Sequence, residues 1–252
     1  MNITLLTRRR RWAALLAAGP LVAACGGHAD PGAPADGAPP VLRPGAHLVI
    51  TTGNGVRLRP ADGDRAVTGA RIDSVWSHRD GAWTLGLSCP SDEGHEDGRC
   101  PRMPAVGVPA GVSVTVTARN AGIDATGIAA GLDLTTVNGD VTVTRSGEED
   151  ATVRLVTRNG SVRTGTLRAA GVHAQTVNGD VTLGSATSPA RVTAATTNGS
   201  VRVSLPHGAP AYDVAATTRN GRASVAVPTA TRKNGHEMRL ATVNGDVTAV
   251  RG

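Results

Sequence analysis

Asp140 and Asp180 occupy the same place in two copies of one short motif, and Arg163 and Arg202 occupy matching places in two variant copies. Two carboxylates held roughly 5–10 Å apart are what glycoside hydrolysis needs, one to donate a proton and one to attack or to activate water. Arginines beside both carboxylates would hold them ionised, which suits a ladder of opposite charges and not a proton donor. No other acid is placed to donate a proton, and no aromatic platform accompanies the pair. We expect Asp140, Arg163, Asp180 and Arg202 to form a solvated structural face, with a ligand face as the second reading. No residue is expected to be catalytic; a polysaccharide-active enzyme is the alternative.

The three cysteines offer different chemistry. Cys89 and Cys100 bracket a polar loop that also holds His95 and Asp97. Two thiolates, an imidazole and a carboxylate could bind zinc, but the tight Cys-x-x-Cys spacing of zinc sites is absent. An exported chain favours oxidation, so we expect a Cys89–Cys100 disulfide and neither metal nor cofactor. Export is itself implied by the start of the chain. Arg8 to Arg11 precede an apolar run from Trp12 to Ala24, too short to span a bilayer comfortably and flanked like a secretory signal. A twin-arginine signal is the other possibility, but Arg11-Trp12-Ala13 fits it poorly. The run ends Leu21-Val22-Ala23-Ala24-Cys25-Gly26-Gly27, which resembles the lipobox of bacterial lipoproteins. That resemblance implies a signal over 1–24, cleavage before Cys25, acylation of its thiol by a chain such as palmitate, and anchoring at the extracytoplasmic face of the cell membrane. After Cys25, residues 26–40 are Gly, Ala, Pro and Asp apart from His28, with almost nothing to bury; 25–40 read as a tether that would reach roughly 45 Å when extended.

The formal net charge of +6 is largely a property of the signal. Without Arg8 to Arg11 the chain is close to neutral, with no aromatic residues interleaved among the arginines. That excludes a nucleic-acid footprint. The remainder has no Phe and one Tyr, and is filled by Val, Thr, Ala and Gly. Such small side chains suit a narrow interior built from stacked strands better than a thick globular core.

Thr136-Val137-Asn138-Gly139-Asp140-Val141-Thr142 recurs letter for letter at 176–182 and 242–248. Variant copies run from Thr157 to Arg163, Thr196 to Arg202 and Thr218 to Ser224. A period of ~20 residues is that of a stacked repeat. Asn-Gly between alternating runs is also a strong hairpin signal, so an antiparallel meander must be weighed. A meander gains nothing from matching its turns, whereas a parallel coil stacks them about 4.8 Å apart and lets an Asn column hydrogen-bond along the stack. The fold class expected is therefore all-β: a single-stranded parallel β-helix, right-handed, over 118–252. An N-terminal β region over 41–117 precedes it, with an Asp80-Gly81 hairpin and with Trp76 and Trp83 capping the stack. In register, Arg163 would lie diagonal to Asp140 and Asp180, and Arg202 to Asp180. The last full repeat is followed at once by Val250-Arg251-Gly252, so an uncovered C-terminal rung is expected to support self-association or partner docking. His47, His78, His173, His207 and His236 read as scattered surface residues.

From Leu48 onward the chain resembles the bacterial DUF4097 family of adhesin-like proteins, whose members are often lipoproteins. The resemblance rests on the turn from Thr52 to Val56, on Cys89 and Cys100 ahead of Val108-Pro109-Ala110-Gly111-Val112, and on the Asn-Gly-Asp-Val rungs. It implies an extracytoplasmic β-helix and brings no catalytic motif. The function expected is a non-catalytic, membrane-anchored binding scaffold of the cell envelope, its partner a wall glycan or an envelope protein. A signalling accessory that docks a partner through its last rung is the further alternative.

Overall fold

A computed structural model describes residues 38–69, 72–89, 101–231 and 235–252. The expected signal, Cys25, most of the tether, His95, Asp97 and Cys100 lie outside them. The described residues belong to a compact unit assigned to Pro31–Gly252.

The described residues fold into strands, and those of 47–60 and of 132–251 come in pairs joined by an Asn-Gly corner. In chain order these are β1 (His47–Thr52) and β2 (Val56–Pro60), then β3 (Val67–Thr68) and β4 (Asp73–Arg79), then β5 (Ala82–Ser88) and β6 (Ala105–Val108). They continue with β7 (Ser113–Thr117) and β8 (Ile123–Thr126), β9 (Leu132–Thr135) and β10 (Val141–Thr144), β11 (Thr152–Val156) and β12 (Val162–Leu167). Last come β13 (Gly171–Gln175) and β14 (Val181–Ser185), β15 (Arg191–Ala195) and β16 (Val201–Leu205), β17 (Asp213–Asn220) and β18 (Ala223–Val225), and β19 (Glu237–Asn244) and β20 (Val247–Arg251). Alternating Val and Thr produce these strands because β-branched residues suit the pleat and place every second side chain inward. Val141, Val143, Val162, Val181, Val201 and Val203 supply one inner face, and Leu132, Leu134, Val153, Leu155, Val172 and Val192 the other, all nearly or fully buried. Each such burial contributes about 1.5–3 kcal/mol, against the entropy of ordering the rung.

Two ten-stranded sheets result. One runs β17-β19-β15-β13-β11-β9-β7-β1-β5-β4 and the other β18-β20-β16-β14-β12-β10-β8-β2-β6-β3. The ladders are parallel except β4 with β5 and β3 with β6. The meander is thereby excluded and the parallel β-helix stands. The Asp80-Gly81 hairpin also forms, joining β4 to β5 with both turn residues at positive φ. Trp76 and Trp83 pack partly buried against the core, as a cap at that end requires.

Chain order and stacking order differ at both ends. β1 pairs with β5 on one side and β7 on the other, so the rung of β1 and β2 is internal, and β3 and β4 of the 41–117 stretch lie outermost. At the opposite end β19 is inserted between β15 and β17, and β20 between β16 and β18. The expectation of an uncovered C-terminal rung is corrected: strands β19 and β20 are covered on both sides, and the outermost rung is β17 with β18. Position at the end of the chain does not leave an amide edge free, because hydrogen-bond partners depend on stacking position.

Candidate functional site

The repeated corner is built from three residues with separate tasks. Asparagine side chains form a one-way chain of amide bonds: Asn159 donates to Asn138, Asn178 to Asn159, Asn198 to Asn178, Asn244 to Asn198 and Asn220 to Asn244, all at 2.7–2.9 Å. Amides aligned in one direction polarise one another, so the ladder is stronger than its separate bonds. The glycines that follow have φ of +141° to +157°, and a Cβ placed on Gly160, Gly179, Gly199 or Gly245 would sit 2.1–2.2 Å from the carbonyl oxygen of the neighbouring rung's glycine. Only glycine fits that approach. The threonine ahead of each corner donates its hydroxyl to a carbonyl of the adjacent rung, as buried Thr157 does to Gly139 and Thr176 to Gly160 at 2.8 and 2.7 Å; for Thr136 the acceptor is Ala121, and Thr218, which donates to Gly245, is only partly buried.

Beside this corner runs the column of Asp140, Ser161, Asp180, Ser200 and Asp246. Its main bonds are to backbone. Oδ1 of Asp140 accepts the Ser161 amide, Asp180 that of Ser200, and Asp246 that of Arg222, each at 2.8 Å. The serines return the pattern more weakly, with Ser161 Oγ accepting the Asp180 amide at 3.3 Å and Ser200 Oγ that of Asp246 at 3.2 Å. Two residues on, Thr142, Arg163, Thr182, Arg202 and Thr248 stand in register. Arg163 forms an ion pair with Oδ2 of Asp140. Partial burial pushes the Asp140 carboxyl up, but the Ser161 amide and the Arg163 guanidinium outweigh it and hold the group below its ordinary 3.8. Both partners are about half exposed (51% each), so the pair itself contributes little to stability. Among the described residues no ion pair joins Asp180 to Arg163 or to Arg202. The ladder therefore brings together Asp140 and Arg163 and leaves Arg202 an exposed cation.

A second polar cluster lies on the outer face of the other sheet. His173, Thr193, Arg191, Asp213, His236 and Glu237 line a groove of about 550 Å³ opened by the small Ala170 and Gly171. Glu237 bridges Arg191 at 3.8 Å and also contacts Arg239. Tyr212 stands beneath its edge, with its ring edge-on to His236 at 5.3 Å and its hydroxyl donating to the Pro189 carbonyl at 2.7 Å. Among the described residues no group of three or more His, Cys, Asp or Glu is placed to hold a metal.

Residues 50–249 match the family described as Toastrack DUF4097. The chain belongs to that family. No curated protein matches it in sequence. Two solved structures resemble the Toastrack chain loosely. One, a "putative cell adhesion protein" from Clostridium sporogenes, is 10% identical with a TM-score of 0.35, over 84% of this chain and 97% of that one. The other, a "putative adhesin" from Bacteroides fragilis, is 15% identical with a TM-score of 0.36, over 84% of this chain and 94% of that one.

In this Toastrack chain Asp140, Arg163, Asp180 and Arg202 do share one face, as their spacing implied. The spacing did not disclose that the aspartates cap backbone amides of the next rung. Their alternation with serine, another short side-chain acceptor, was the available signal. Nor are all the histidines scattered: His173 and His236 lie at one groove because β13 and β19 both pair with β15. Cys89 directly follows β5, its sulfur 3.3 Å from the Asn54 side-chain amide. Cys25 and Cys100 fall outside the described residues.

Proposed function

We propose that this chain is a lipid-anchored, extracytoplasmic, non-catalytic scaffold of the cell envelope that binds in the manner of an adhesin, anchored through Cys25 and stiffened by a Cys89–Cys100 disulfide. Its ligand face is the ladder of Asp140, Arg163, Asp180 and Arg202, and its partner is an anionic wall glycan or an acidic surface of an envelope protein. The observation that carries this proposal is the pair of outward cations. Arg163 and Arg202 stand two rungs apart on a face whose corners are pinned by the asparagine, threonine and aspartate bonds, so their separation is set before any ligand arrives. Prearranged charges lose little entropy on binding. An enzymatic use of Asp140 is disfavoured because a proton donor needs a raised pKa, and Asp140 is shifted the other way.

The test uses the full-length chain in detergent, with isolated envelope fractions and purified wall polymers. Saturable binding lost in Arg163→Ala/Arg202→Ala while the fold is retained supports the ladder as a recognition face. Binding that survives in the double variant removes it. Cys25→Ser is expected to abolish incorporation of labelled palmitate and to release the chain from the membrane fraction; persistence of either overturns the anchor.

A further inference from the structure

The six asparagines of the ladder, Asn138, Asn159, Asn178, Asn198, Asn244 and Asn220, are each followed by glycine. Asparagine before glycine is chemically labile, because a residue without a Cβ leaves its backbone nitrogen free to attack the preceding side-chain carbonyl. In five of the six that nitrogen is already engaged. The amide of Gly139 donates to the Asn159 carbonyl, Gly160 to Asn178, Gly179 to Asn198, Gly199 to Asn244 and Gly245 to Asn220, all at 2.8–2.9 Å. Those five glycines are partly buried, so attack requires the rung to open first. Asn54-Gly55 is held in the same way, with the Gly55 amide donating to the Arg102 carbonyl at 2.9 Å.

Asn220-Gly221 differs because β17 and β18 are outermost. No rung lies beyond Gly221, and its amide has no hydrogen-bond acceptor among the described residues. The segment that crosses β17 does so at the other end of the strand, where Tyr212 donates to the Pro228 carbonyl at 2.9 Å and Ala230 to the Tyr212 carbonyl at 2.7 Å. Asn220 and Gly221 are both exposed. The Asn220 side chain donates to Asn244, whereas Asn159, Asn178, Asn198 and Asn244 each donate and accept. This corner is therefore fixed on one side only. We infer that Asn220 is a site of spontaneous covalent modification in the folded chain, with water as the co-reactant. The Gly221 nitrogen loses its proton to solvent base and bonds to Asn220 Cγ; the Cγ–Nδ2 bond breaks, and Nδ2 takes a proton from water and leaves as ammonia. Water then opens the resulting succinimide at either carbonyl, giving aspartate or isoaspartate at position 220. Neither product can donate to Asn244 as the amide does, and isoaspartate adds a methylene to the backbone beside the Gly245–Asn220 bond. The outermost rung is loosened while the inner rungs stay protected.

The full-length chain in mild detergent is held at mildly alkaline pH beside the same chain in denaturant, and each asparagine is followed by fragmentation mass spectrometry, with circular dichroism to monitor the fold. Asn234-Gly235 is followed separately, since Asn234 lies outside the described residues. In denaturant the six ladder pairs are expected to react at similar rates. In the folded chain Asn220 is expected to stay close to that rate and the other five to slow at least about tenfold, because each must first break a hydrogen-bonded corner. The reaction at Asn220 is expected to quicken as pH rises and to yield both aspartate and isoaspartate. As product accumulates, amide exchange is expected to quicken in β17 and not in β13. Protection of Asn220 equal to that of Asn244 overturns the inference, as does equal reactivity of Asn220 and Asn138 in the folded chain. Aspartate alone, the product of direct hydrolysis, overturns the ring closure, and unchanged exchange in β17 overturns the loosening.

Discussion

Asn244 donates its side-chain amide to Asn198, forty-six residues earlier, at 2.8 Å, while the intervening Asn220 lies on its far side. This inversion keeps the repeat in alternation. In the chain, the variant copy ending at Arg202 is followed by another variant copy and only then by a full one. In the stack the full copy sits between them, so that Asp246 follows Ser200 as Asp180 follows Ser161. Stacked in chain order, Ser200 would have met Arg222, which lacks a short acceptor.

Glycine is required at the corner by contact as well as by conformation. Gly199→Ala is expected to destabilise the chain by roughly 2–4 kcal/mol, because the new Cβ meets the Gly179 carbonyl at 2.1 Å with φ at +150°. Gly165→Ala, with open space around its Cβ, is expected to change stability by less than about 0.5 kcal/mol. Denaturant melts of the two variants check the difference.

The buried threonines act through their hydroxyls. Thr176→Val keeps the shape but removes the 2.7 Å bond to the Gly160 carbonyl, and is expected to cost about 1 kcal/mol. A valine that proves neutral in the same melts would assign this position to packing alone.

Asp140 makes stability depend on acid. Its folded pKa is lowered, so its contribution is fully present above its unfolded value and is lost as pH falls through the folded one. Melting temperature is therefore expected to fall below pH 3.8 more steeply in the unmodified chain than in Asp140→Asn. The asparagine retains an oxygen for the Ser161 amide but does not titrate.

Tyr212 gives the alkaline counterpart. Burial pushes its phenol up to about 12 from 10.0. Stabilisation by the neutral hydroxyl is present below the unfolded value and is lost as pH rises through about 12. This is the only tyrosine in the chain, so near-UV difference absorbance follows it alone. Titration at the ordinary value while the chain remains folded would contradict the buried hydrogen bond to Pro189.

The proposed disulfide is open to direct mass measurement. A peptide holding Cys89 is expected to be joined to one holding Cys100 without reductant and separated with it. Closing so short a loop is worth on the order of 2–3 kcal/mol, and Cys100→Ser should lower stability by about that amount.

Much of the ladder was legible because a stacked repeat translates chain period into spatial period. Val141-Thr142-Val143-Thr144 declares a half-buried strand, and the exact return of Asn138-Gly139-Asp140 declares one register. The direction of the Arg163 guanidinium was not legible, because Asp140 and Asp180 each engage a backbone amide through Oδ1 alike and only the side-chain conformation selects Asp140. The groove at His173 and His236 was hidden because its residues carry no common motif and meet only through strand pairing.

By itself the sequence determined the unit of construction: small inward side chains, a glycine corner and an asparagine able to bond to its own kind, which together admit a thin parallel coil. Only the tertiary structure decided the order in which the rungs stack. Neighbouring coils recognise one another through backbone amides and matched acceptors, and connecting loops can carry the chain past a rung. Position along the chain therefore left open that β1 and β2 are internal, that β19 and β20 are covered, and that β17 and β18 are the outermost strands of their sheets.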